Sequence, residues 1–114
     1  VAHSGNLNFY NDTTTCYSVN VGGVETGKWL YGVGTYDGTT TRTYMFKDGS
    51  LSQASGTGKS GSTLTFSSDF QVWGDQNGSN YTDCKGGVAH VYNRTLSQTE
   101  IEQNYNAQKS RFGL

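Results

Sequence analysis

Apolar positions in this 114-residue chain recur at two spacings. Up to residue 92 they tend to alternate with polar ones, the period of a half-buried strand; beyond residue 96 they fall at i and i+4, the period of a helix. Leu7 and Phe9 alternate with Asn6 and Asn8, and Tyr10-Asn11-Asp12 adds turn chemistry. In 16–21, Tyr17, Val19 and Val21 share one face while Cys16, Ser18 and Asn20 share the other, up to the break at Gly22-Gly23. Residues 28–36 put Trp29, Tyr31 and Val33 on one side and Leu30, Gly32, Gly34 and Tyr36 on the other. Apolar groups on both faces predict a central strand, and Gly32 and Gly34 leave space for something bulky from a neighbouring layer. Asp37-Gly38 and Asp48-Gly49 are hairpin signals that bracket a returning strand at 42–47, with Tyr44 and Phe46 on one face and Leu51 continuing beyond it.

The pattern then weakens. Residues 52–62 are rich in Gly, Ser and Thr and read as a surface loop. Leu64 and Phe66 open a further strand, and Phe70, Val72 and Gly74 mark another, with Trp73 on the opposite face; 75–83 is the longest polar stretch. Residues 86–92 read as the last strand, Ala89 and Val91 facing one way and Val88, His90 and Tyr92 the other. The helix start is the best specified point in the chain. Ser97 can cap the first turn while Glu100 reaches back to it, and Leu96 and Ile101 occupy the two positions of a hydrophobic staple. The helix is expected over about 98–108, and its narrow apolar stripe, Ile101 and Tyr105, suits a helix laid on a sheet. Lys109 and Arg111 fit a helix C-terminus, and Phe112 is placed to pin the tail. Seven or eight short antiparallel strands and one terminal helix predict an all-β, two-sheet sandwich, with jelly-roll wiring.

Composition supports one domain over 1–114. The 16 Gly, the absence of Pro and the 32% hydrophobic content suit many short strands joined by turns, while 13% aromatic residues argue against disorder. A formal net charge of −1 with cations scattered singly gives no phosphate-binding surface for nucleic acid. No apolar run is long enough for a membrane-spanning helix. The first residue is Val1 rather than Met, so a processed product or a part of a longer polypeptide is expected. Cys16 and Cys84 are far apart in sequence. A bridge between them would contribute up to about 4 kcal/mol in the chain-entropy model; two separate thiols are the simpler reading, and their spacing gives no zinc site.

Three segments, in order, resemble the laminin-G-like, concanavalin A-like jelly-roll family. Residues 28–38 are similar to its W-h-h-v-a-g-t-y-D-G strand, through Trp29, Gly34, Thr35, Tyr36, Asp37 and Gly38. Phe46-Lys47-Asp48-Gly49 resembles its Y-v-N-G hairpin, and 86–101 resembles its closing segment through Val91, Tyr92, Asn93, Arg94, Leu96, Ser97, Glu100 and Ile101. The tail NYNAQKSRFGL is similar to the ends of such domains in tailed-bacteriophage virion proteins. The family usually starts with an F-S-x-x-x-W strand, and nothing before Leu7 supplies one. The resemblance therefore implies a domain lacking N-terminal strands, either the C-terminal part of a larger protein or one completed by a partner.

The family includes glycoside hydrolases, whose retaining members need two carboxyl groups roughly 5–5.5 Å apart, on a strand at i, i+2 or i+4. No predicted strand carries such a pair, and His3 and His90 lack a nucleophile-and-acid arrangement, so no enzyme is expected. The candidate ligand-binding residues are Trp73, Asp75, Asn77, Asn80, Tyr81 and Asp83: two rings for stacking on a sugar face among hydrogen-bonding groups. The plainer reading of this stretch is a solvated loop with Trp73 in the core. Asp75, Asn77 and Asp83 are also candidate oxygen ligands for Ca²⁺, short of a full set, so no cofactor is expected. Trp29, Tyr36, Asp37, Gly38, Asp48, Gly49, Tyr92, Asn93, Arg94, Leu96, Ser97, Glu100 and Ile101 are expected to be structural. The resemblance implies a non-enzymatic decoration, fibre or tail-associated module of a phage virion, with other virion proteins or copies of itself as partners and some adhesion to cell-surface glycans. The alternative is a carbohydrate-binding module of a secreted or cell-surface protein.

Overall fold

The structure, a computed structural model, describes residues 2–3, 6–10, 18–22, 24–57 and 85–114. Among these are six strands and one helix: β1 (Ala2–His3), β2 (Asn6–Tyr10), β3 (Ser18–Gly22), β4 (Tyr31–Tyr36), β5 (Thr40–Lys47), β6 (Ser50–Thr57) and α1 (Gln98–Phe112). They form two three-stranded antiparallel sheets, β1-β2-β3 and β4-β5-β6. The chain is thus mostly sheet, closed by a C-terminal helix.

The two Asp-Gly turns behave as their chemistry predicts. Asp48 (φ 50°) and Gly49 (φ 76°) both take left-handed backbone between β5 and β6, the twist-matched geometry of a two-residue hairpin. At the β4–β5 turn the Asp37 carboxylate replaces missing backbone bonds, accepting from the amides of Thr39 (3.0 Å) and Thr40 (2.8 Å). Arg42 adds a 2.8 Å bond to its second oxygen. Together these hold the Asp37 carboxyl far below its usual range, Arg42 contributing most.

β5 is buried on both faces. Tyr44 and Phe46 join Leu96, Ile101 and Tyr105 in the larger core cluster, with Tyr31, Val33, Leu51 and Leu114 packed at its margin. Phe46 and Tyr105 stack with ring centroids 4.3 Å apart. This is the helix face of the sheet, and the two-residue stripe Ile101/Tyr105 is what α1 lays on it. On the opposite face Met45 meets Leu7 of β2, with Val24 and Leu30 alongside. Thr41 and Thr43 share that face and are fully buried. A Cβ on Gly32 would lie 2.6 Å from Leu7 Cδ2, so the space anticipated beside Gly32 is filled by a leucine from the other sheet. β2 and β3 accordingly lie against β5, and β3 also against β6.

Among the described residues β5 lies between β4 and β6, and the absence of a side chain at Gly32 lets Leu7 approach β4. Three expectations are corrected. Residues 52–57, read as loop, belong to β6, paired from Lys47↔Ser50 to Thr40↔Thr57. Its backbone ladder is set by the hairpin turn, while Ser52 and Gln53 face solvent and leave no apolar signal. Residues 86–92, expected as the last strand, form none: they pair with no strand among the described residues, and their alternation is not matched there by a backbone ladder. The helix continues past 108 to Phe112, where Gly113 (φ 68°) takes the left-handed cap and bonds back to Lys109. The expected strands at 64–66 and 70–74 and both cysteines lie outside the described residues.

Candidate binding surface

The approach to α1 shows how local chemistry orders a segment. Ser97 Oγ accepts the Glu100 amide (3.3 Å), and Glu100 Oε2 accepts the Ser97 amide (2.8 Å), closing the capping box. Leu96 and Ile101 are both buried, as the staple requires. Arg94 adds a forked pair to Glu100, at 2.7 and 3.0 Å, so this carboxylate both caps the helix and anchors the loop before it. Arg94 and the Ser97 bonds, in that order, pull the Glu100 carboxyl down to about 2. Thr95 donates from Oγ1 to the Tyr36 carbonyl (2.6 Å), tying the loop to the end of β4.

The residues before this junction form a strap along α1. At one end a Cβ on Gly87 would fall 2.5 Å from the Phe112 ring, so any side chain there would have to push the ring aside. At the other end Asn104 Nδ2 donates to the Tyr92 hydroxyl at 3.2 Å. Phe112 packs in turn on Trp29, centroids 5.0 Å apart, beneath the Arg111 guanidinium at 5.5 Å. The strap leaves its apolar side chains outside: Val88 is 43% exposed, Val91 74% and Tyr92 45%, with Trp29 at 40% nearby. From 86 to 93 it carries no Asp, Glu, Lys, Arg or proline. Among the described residues, Trp29, Val88, Val91 and Tyr92 are the exposed large hydrophobic side chains, and sequence reasoning, which read 86–92 as a strand, did not single them out as a surface.

A second surface is charged. Glu25 pairs with Lys47 and, at 3.7 Å, with Lys28, which reaches Asp48 at 2.9 Å. The Lys47 hydrogen bond is the main reason the Glu25 carboxyl titrates below its usual value. These balanced, solvated pairs fasten the segment before β4 to the β5–β6 hairpin, and exposed pairs of this kind contribute little each.

Trp73, Asp75, Asn77, Asn80, Tyr81 and Asp83, the residues expected to contact a ligand, all lie outside the described residues. Of those expected to be structural, Tyr36 donates to the Gly38 carbonyl (2.8 Å), and Asp37, Asp48, Arg94, Leu96, Ser97, Glu100 and Ile101 hold turns, ion pairs or core as above. Trp29 packs on Phe112 and Tyr92 accepts from Asn104, each with part of its surface left exposed. Among the described residues no group of three His, Cys, Asp or Glu is placed to hold a metal ion, and no helix is long and apolar enough to cross a membrane.

Residues 1–102 match the family model described as the Concanavalin A-like lectin/glucanases superfamily. No curated protein and no solved structure gives a match.

Proposed function

Because the chain belongs to the Concanavalin A-like lectin/glucanases superfamily, we propose that it is a non-enzymatic jelly-roll module of a bacteriophage virion, of decoration, fibre or tail-associated type. Its two sheets pack as a sandwich through Leu7 and Met45, and its partners are other virion proteins or copies of itself. The observation that carries this reading is the strap beside α1, where Val88, Val91 and Tyr92 stand exposed next to Trp29 on a charge-free run. Exposed apolar side chains grouped in this way mark contact surfaces, and covering what remains exposed of them would contribute roughly 25 cal/mol per Å² of apolar area. The similarity of the C-terminal tail to phage virion proteins supplies the setting. Mass spectrometry of purified particles should find the chain in stoichiometric amount; its absence from them would overturn the virion assignment.

The non-enzymatic part draws on the described carboxylates. A glycosidase general acid needs a raised pKa, whereas Glu25, Asp37 and Glu100 are held low by lysine, arginine and backbone partners. A second reading is favoured by the lectins in the superfamily's description: a carbohydrate-binding module of a secreted or surface protein, using Trp73 and Tyr81 for stacking and Asp75, Asn77, Asn80 and Asp83 for hydrogen bonds, with Ca²⁺ as an optional ligand. Glycan-array binding that falls on Trp73→Ala or Tyr81→Ala would favour it, and silence across the array would remove it.

A further inference from the structure

We draw no further inference here: the strongest candidate, the exposed apolar strap at 86–92 beside Trp29 and α1, belongs to the surface already described, and nothing in the structure shows what else covers it.

Discussion

Residues 86–93 and 94–105 are neighbours in sequence, yet they reach order by different routes. The second stretch satisfies itself. Ser97, Glu100 and Arg94 supply one another's hydrogen bonds across six residues, and Leu96 and Ile101 enter the core on either side of the cap. The first stretch is held by what lies beside it: the Phe112 ring under Gly87 and the Asn104 amide at Tyr92. The difference teaches where alternation in a sequence can be trusted. A capping box carries its partners within four residues, whereas a strand pattern promises only that a partner strand would fit.

Variants on the two sides should therefore separate in size. Ile101→Ala, at the fully buried end of the staple, should be the most damaging, lowering stability by about 2–5 kcal/mol in urea or thermal unfolding. Ser97→Ala removes the cap from the same junction and should cost about 0.5–2 kcal/mol. On the strap, Gly87→Val should displace the Phe112 ring from Trp29, with a loss of about 1 kcal/mol and a changed near-ultraviolet circular dichroism signal. A near-wild-type Ile101→Ala alongside a severe Gly87→Val would invert the comparison.

Acid offers a gentler probe of the junction. Glu100 titrates at about 2 in the folded chain against an ordinary 4.5, so its bonds stabilise the fold fully above about 4.5 and lose that contribution as pH falls toward 2. Glu100→Gln should flatten this part of the stability–pH curve, and an unchanged acid limb would show that Arg94 and Ser97 do not hold the carboxylate.

The same distinction explains what was legible from sequence. The Asp48-Gly49 hairpin, the capping box and the bulky neighbour of Gly32 were readable because each depends on residue types few others replace: left-handed backbone at Asp48 and Gly49, side-chain oxygens at Ser97 and Glu100, and the missing side chain of Gly32. β6 was not, because Ser52 and Gln53 face water and its ladder with β5 is made by backbone alone. The second face of β5 was also hidden, since Thr41 and Thr43 look polar but are buried beside Met45. At the surface, the family segment around Tyr92 was recognisable, but its role was not: exposure is decided by what packs against the strap. The ligand candidates from Trp73 to Asp83 rest on residue types alone.

The most direct test of the proposed role is the solution mass of the isolated chain by light scattering, for the wild type and for Val91→Glu. Val91 is 74% exposed, so a charge there should leave the fold intact. The strap as a contact surface predicts a wild-type multimer that the substitution converts to monomers. A wild type that is already a well-dispersed monomer across concentration, indistinguishable from Val91→Glu, would contradict it.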